Sequence, residues 1–419
     1  MLIENTDVLI IGAGPSGSVA AAYLRQNNIN VIVLEKMQFP RIVVGESLIP
    51  RSMDHFEETG LLPYLEKQNF EVKPGARFIR GNEICIFDFS QKFGEGKDWT
   101  WQVPRADFDI TLANAIVVKG ADLRFNEEVI DVQFEGKNST TTVKKQNGET
   151  YQINAKFLID ASGYGRVLPR LLNIDSPSKL NPHSAIFAHI DDIRRPKGQE
   201  GTQISFDIIE TKVWLWVIPF SNGKTSVGIV GPTEYINQLS TDQNTTEALQ
   251  NAIKKSDFYV NRFGDLPFEF DPIWLKNYSA AVTKMFGEGY VLTGNSTEFL
   301  DPVFSSGVCF ATESGLKAAK LAVKELKGEN VDWQKDYEGY MKEGIAVFTT
   351  YVQEWYTGNL QELFFHRPEN PEVKEKICAV LAGYVWNKEN PFVKKHNNVI
   401  KNMAHLIKMS KENNSESQL

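Results

Sequence analysis

The hydrophobic pattern changes period twice within the first 35 residues. Residues 8–11 form a continuous apolar run that reads as a buried parallel strand, Gly12, Gly14 and Gly17 follow, and a helical period then continues to about Gln26. A second apolar strand over 30–34 ends at Glu35. Gly12 permits a tight turn, Gly14 lets the backbone approach a phosphate, and Gly17 lets helix pack on strand; the free N–H groups of the helix start attract negative charge. Pro15 suits the first helical turn, where its missing N–H costs nothing. Glu35 lies about 20 residues beyond the glycines, the spacing at which a carboxylate accepts hydrogen bonds from an adenosine ribose. Strand, turn, helix, strand and terminal acid in register predict a dinucleotide site.

A loop rich in glycine and proline over 39–50 leads to a helical period from Arg51 to about Lys67. From Ala76 to about Ile153 the period becomes two, with alternating runs at 77–89, 100–103, 122–134 and 140–145, and Asn147-Gly148 gives a hairpin signal. A helix to about Lys119 starts at VPRADFD, residues 103–109. KFLIDASG, residues 156–163, is a buried strand that returns to the first sheet, so the dinucleotide-binding domain is discontinuous in sequence. A second β region covers 183–231, and a short helix follows over 245–258. The strand 289–295, the loop 298–307 and the helix 308–326 make the last visit to the first domain, and residues 333–419 are helical and rich in aromatics.

Composition narrows the class. The 419 residues are 42% hydrophobic and 23% charged, as in an ordinary globular protein of two or three structural units at about 150 residues each. A net charge of −8 argues against nucleic acid as a partner. Cys85, Cys309 and Cys378 are odd in number and far apart, which fits neither a disulfide framework nor a metal site and makes a reducing cytoplasm the expected location. No apolar run approaches the roughly 18 residues of a membrane span, and the chain enters its first strand without a signal peptide.

Several residues invite a chemical reading beside a plain one. Arg41 is placed to pair with a phosphate or to lie on the surface. Lys73 precedes Pro74-Gly75 and on its own reads as a solvated turn lysine. Period-two alternation puts Trp214, Trp216 and Ile218 on one face, as sheet core or as a wall between two ligand sites. Ser306 and Gly307 offer N–H groups at a helix start, an anion site for the pyrimidine edge of a reduced flavin or for a small inorganic anion. The aromatic C-terminal helices either cap the core or roof an apolar substrate pocket. The last helix, 393–411, presents lysines and histidines as a solvated face or as a dock for an acidic carrier protein. The tail 412–419 is expected to be disordered.

Taken together, GAGPSG at 12–17, GESLIP at 45–50, KPGARF at 73–78, WLWVIP at 214–219 and FLDPVFSSG at 299–307 resemble the flavin-dependent halogenases of phenols and pyrroles, within the aromatic-hydroxylase-like FAD monooxygenases. The last segment matches an F-x-x-P-x-x-S-x-G pattern at Phe299, Pro302, Ser305 and Gly307. The resemblance implies an α/β fold in which a Rossmann-type FAD-binding domain with a parallel sheet is interleaved with an antiparallel β-sheet substrate domain, followed by a helical C-terminal region. The expected boundaries are 1–75, 104–120, 155–180 and 285–330 for the FAD domain, 76–103, 121–154 and 181–284 for the substrate domain, and 331–411 for the helical region. It implies that FAD, used as FADH2, is held by Gly12, Ala13, Gly14, Ser16, Gly17, Glu35, Lys36, Arg41, Glu46, Arg105, Asn295, Pro302 and Val308. Ser306 and Gly307 would hold chloride or bromide, and Lys73 would be the catalytic lysine. Trp214, Trp216 and Phe304 would partition the substrate from the flavin. Reduced FAD and O2 would turn the halide into hypohalous acid, which the lysine aims by hydrogen bonding or takes up as a haloamine; arginine serves neither well because it cannot give up its proton.

Two positions depart from parts of the family. Phe304 stands where tryptophan-specific members have a glutamate, which argues for an electron-rich phenol or pyrrole that needs less help from a base. Asn295 replaces an aspartate that contacts the ribityl chain, and its amide still donates and accepts. The implied partners are an aromatic small molecule, a separate flavin reductase and an acyl carrier protein. A hydroxylase or double-bond reductase of the same fold is the alternative, and a flavin-binding scaffold without catalysis is the third.

Overall fold

The computed structural model describes residues 2–178, 180–366 and 371–416. Ile3–Ile11 is the centre of an eight-stranded sheet. It pairs in parallel with Val31–Glu35 on one side and Thr150–Asp160 on the other, and the sheet continues to Asp122–Phe125 beyond the first and Tyr290–Leu292 beyond the second. Residues 8–11 and all of Val31–Glu35 are buried, as strands covered on both faces must be. The helices Pro15–Gln26 and Ser306–Leu326 cross so closely that a Cβ on Gly315 would meet the Ser16 carbonyl oxygen at 2.4 Å.

A seven-stranded sheet runs in the order Ile273–Leu275, His183–Asp191, Lys224–Pro232, Val213–Pro219, Ser205–Glu210, Gly75–Arg80, Glu83–Asp88, antiparallel except where Ser205–Glu210 meets Gly75–Arg80. Its central strand alternates as its sequence requires. Trp214, Trp216 and Ile218 enter the core shared with the first sheet, whereas Val213, Leu215 and Val217 pack into a second core with the helix Thr245–Lys254. A separate ribbon pairs Glu71–Lys73 with Thr100–Gln102, with Lys73 opposite Thr100.

The segment 121–154 sits elsewhere than expected. Asp122–Phe125 pairs with Val31–Glu35, and Glu127–Glu135, Asn138–Lys145 and Thr150–Asp160 form a meander of the same first sheet. Alternation marks a strand as half-buried but does not name the sheet it joins. Asn126, at φ 59°, is the corner that ends the parallel strand and starts the meander. The C-terminal helices Tyr340–Tyr356, Asn359–Phe365, Pro371–Leu381 and His396–Glu416 cover one end of the shared core. Helix continues through 412–416, against the expected disorder there, and 417–419 lie outside the described residues. No helix among the described residues is long and apolar enough to cross a membrane.

Candidate functional site

A cavity of about 520 Å³ opens where the first sheet, the start of Ser306–Leu326 and the inner face of the second sheet meet. Its dinucleotide end is built by the first βα turn. Gly12 takes φ +100°, and a Cβ there would lie 2.5 Å from the Ala161 carbonyl oxygen. Gly12, Gly14 and Ser16 line the cavity, whereas Gly17 lies behind it, where a Cβ would stand 2.0 Å from the Gly12 carbonyl oxygen. Ala13 also lies behind the surface and donates its backbone N–H to Glu35 Oε2 at 3.1 Å. The other Glu35 oxygen accepts from the Met37 N–H, so this carboxylate fixes the turn and the strand end together while lining the cavity. Lys36 lines the rim and pairs with Glu128.

Two arginines converge on the middle of the cavity. Arg105 is held by Asp109 at 2.8 and 2.9 Å and by the Val44 carbonyl. Arg41 lies 3.6 Å from Asp109, its Nε is buried without a hydrogen-bond partner among the described residues, and its guanidinium stands 3.6 Å from where a Gly14 Cβ would be. A glycine turn facing an arginine with unused donor capacity is what a pyrophosphate needs, and the cavity therefore suits FAD. At the far side Asn295, Pro302, Gly307 and Val308 line the wall, and Arg166 donates to the Asn295 carbonyl at 2.9 Å.

The helix Ser306–Leu326 starts two residues earlier than its apolar period indicated, directly after Ser305 at φ 56°. Ser306 and Gly307 are thus its first residues, whose N–H groups have no partner within the helix. Gly307 faces the cavity; Ser306 is buried beside it. Ser305 Oγ donates to Ser47 Oγ at 3.1 Å, and Lys73 Nζ donates to the same Ser47 Oγ and to the Leu48 carbonyl, both at 2.7 Å. Far from being a solvated turn lysine, Lys73 is 1% exposed, and burial pulls its ammonium down to about 7. It is absent from the cavity surface and reaches it through Ser47, which does line it.

Trp214, Trp216 and Ile218 form the apolar face opposite. Trp216 lies over Gly228 on the neighbouring strand, where a Cβ would be 2.3 Å from the indole, and donates to Ser226 Oγ at 3.1 Å. Trp214 donates to Tyr356 OH, which donates to Asp301 as does Tyr278 OH, both at 2.9 Å. Asp301 is buried, which pushes its carboxyl up; neither it nor the two tyrosines carried a signal legible beforehand. Phe304 is not brought to the cavity. Its ring packs among Phe348, Tyr351 and Trp355 of the C-terminal helix, so of the three residues expected to partition substrate from flavin only Trp214 and Trp216 reach the cavity.

The sequence matches the FAD binding domain family over residues 5–337. A 1H-pyrrole-2-carbonyl-[peptidyl-carrier protein] chlorinase of Pseudomonas fluorescens is 30% identical, covering 92% of this chain and 90% of its own. A 1H-pyrrole-2-carbonyl-[peptidyl-carrier protein] brominase of Pseudoalteromonas luteoviolacea is 27% identical over 92% and 94%. Among solved structures, a flavoprotein/dehydrogenase from Cytophaga hutchinsonii superposes with a TM-score of 0.95 at 47% identity, covering 97% of this chain and all of the other. With a cavity lined to suit FAD, the FAD-binding family match across most of its length and halogenase relatives covered to nine-tenths of their length, this chain belongs to the flavin-dependent halogenases, FAD-using oxidoreductases.

Proposed function

We propose that the enzyme halogenates an electron-rich aromatic, phenolic or pyrrolic, with Lys73 as its catalytic group and Ser306 and Gly307 as its halide site. The observation that carries this reading is the buried chain Lys73–Ser47–Ser305, which ties the buried lysine to the residue just before the helix start. When bound, reduced FAD supplies the electrons with which dioxygen oxidises halide to hypohalous acid. The first N–H groups of Ser306–Leu326 favour an anion there. Trp214 and Trp216 exclude the organic substrate from the cavity, so that only a small oxidant passes. Ser47 and the Leu48 carbonyl orient the Lys73 amine, which donates to that oxidant or takes up its halogen. The aromatic C-terminal helices roof the substrate; Tyr351 OH and Trp355 Nε1 are buried there with no hydrogen-bond partner among the described residues and suit a polar aromatic. The carrier-bound substrates named for two relatives support a carrier-bound acyl pyrrole here as well. A separate reductase supplies the reduced flavin.

The test combines the protein with FAD, a generic flavin reductase, NADH, oxygen and bromide or chloride, and follows an activated phenol by mass spectrometry. Halogenated phenol is the expected product; a hydroxylated phenol would overturn the reading in favour of a monooxygenase. Trp216→Ala is expected to raise the share of reducing equivalents lost as peroxide or hydroxylated product at least twofold. Gly228→Ala, which forces the same indole aside, should act in the same direction. Unchanged peroxide and product yields in both variants would remove the wall.

A further inference from the structure

Glu46 and His189 form an acid–imidazole pair beside the cavity that, beyond the FAD contact the resemblance implies for Glu46, has no task in the halogenation chemistry above. Glu46 is 2% exposed and lines the cavity. Its Oε1 accepts a hydrogen bond from His189 Nε2 at 2.5 Å, while its Oε2 is buried with no hydrogen-bond partner among the described residues. A carboxylate oxygen left so in the interior is costly unless something in the cavity meets it. The backbone around it is pinned: Gly45 takes φ +101°, the Glu46 carbonyl accepts from the Val103 N–H at 2.7 Å, and the next residue is the Ser47 that joins Lys73 to Ser305. His189 comes from the other sheet, on His183–Asp191, its ring set edge-on against Phe220 and Phe270 at 5.2 and 5.0 Å. Its side chain keeps 14% exposure, so the pair reaches from solvent to the cavity wall.

The chemistry asks for such a path. One hypohalous acid is made as FADH2 + O2 + X⁻ + H⁺ → FAD + HOX + H2O, in which two electrons from the cofactor and two from the halide reduce dioxygen. One proton must therefore enter the cavity in every turnover. We propose that His189 and Glu46 carry it; the inference rests on the halogenase reading. From the imidazolium form the N–H bond at His189 Nε2 breaks toward Glu46 Oε1 and leaves neutral imidazole; the carboxyl rotates to bring that O–H to the cavity side, where Oε2 stood, and there it breaks toward the acceptor in the cavity. The imidazole takes a proton from solvent and restores the pair. Loss of reduced FAD to hydrogen peroxide, FADH2 + O2 → FAD + H2O2, needs no added proton and is the path left when the pair is broken.

The test uses FAD-loaded protein, photoreduced FAD in place of the reductase, bromide and an activated phenol. FAD affinity is read separately by fluorescence. His189→Ala is expected to bind FAD within twofold of wild type, to give at least tenfold less bromophenol with the balance as peroxide, and to recover product in millimolar imidazole. His189→Gln keeps a donor to Glu46 but cannot relay, so it should lose bromination too, without rescue. Glu46→Gln should behave as His189→Gln does. Wild-type bromination in either His189 variant overturns the proposal. So does Glu46→Gln that binds FAD weakly yet brominates normally once saturated, which would make Glu46 a cofactor ligand only. Failure of the wild type itself to brominate would overturn the halogenase reading instead.

Discussion

Lys73→Met is expected to lower halogenation at least a hundredfold, within the range of about 10²–10⁴ for losing a positioned acid or base, while FAD binding and flavin reoxidation persist. Methionine fills the same volume but offers neither a hydrogen to the oxidant nor a lone pair to halogenate. Lys73→Arg should not restore activity, because a planar guanidinium cannot replace a compact amine held between Ser47 Oγ and the Leu48 carbonyl, with the Phe89 ring 5.6 Å away. Stability should move the other way. Burial brings the folded Lys73 to about 7, below its ordinary value near 10.4, so between those values the unfolded chain binds more protons and stability rises with pH. The penalty of the buried charge is fully present below pH 7. Lys73→Met should therefore be more stable than wild type at pH 6, by on the order of 5 kcal/mol at most, with the gap shrinking toward pH 10. Urea denaturation at pH 6 and pH 9 measures this, and halogenation by the methionine variant at the wild-type rate would remove Lys73 from the mechanism.

The first βα turn was legible because its constraints are local: a Cβ on Gly12 or Gly17 meets backbone at 2.5 or 2.0 Å, and Glu35 closes on the Ala13 N–H within the same unit. The alternating face of Val213–Pro219 was legible for the same reason, since period two needs no partner to be read. What depended on distant partners was not. Asp122–Phe125 belongs to the first sheet only because Val31–Glu35 is there to pair with it. Lys73 reads as a turn lysine until Ser47 and Leu48, some 25 residues earlier in the chain, close over it. Phe304 is placed by its position in the family pattern, where tryptophan-specific members have a glutamate, yet next to the αL turn at Ser305 its ring packs into the C-terminal helices, away from the cavity. Asp301, Tyr278 and Tyr356 come from three segments, and none carries a spacing that announces the others.

Glu313→Ala is expected to destabilise the protein by about 3–5 kcal/mol at pH 7, the cost of leaving buried charge without its counter-ion. Glu313 is 5% exposed on the helix Ser306–Leu326, and it accepts from Arg51 Nε at 2.9 Å, His55 Nε2 at 2.7 Å and Tyr340 OH at 2.8 Å. Arg51 and His55 come from Arg51–Glu58 and Tyr340 from the C-terminal helix, so one carboxylate joins these two segments to the helix that starts at Ser306, three segments in all. Burial alone would raise its pKa, but the hydrogen bonds and charges of His55 and Arg51 outweigh burial and hold it well below the usual carboxylate range. A folded value below the unfolded one gives stability that is present above the ordinary carboxylate value, near 4.3, and is lost as pH falls toward the folded value. The gap between wild type and Glu313→Ala should therefore be full at pH 7 and narrow below about pH 4 in urea denaturation. Glu313→Gln keeps the shape and some hydrogen bonds without the charge and should fall between the two. Because the helix start carries Ser306 and Gly307, the alanine variant should also lose halogenation in proportion to the unfolded fraction and regain it on cooling. Equal stability of Glu313→Ala and wild type at pH 7 would mean that packing of the surrounding helices, not this carboxylate, holds the three segments in place.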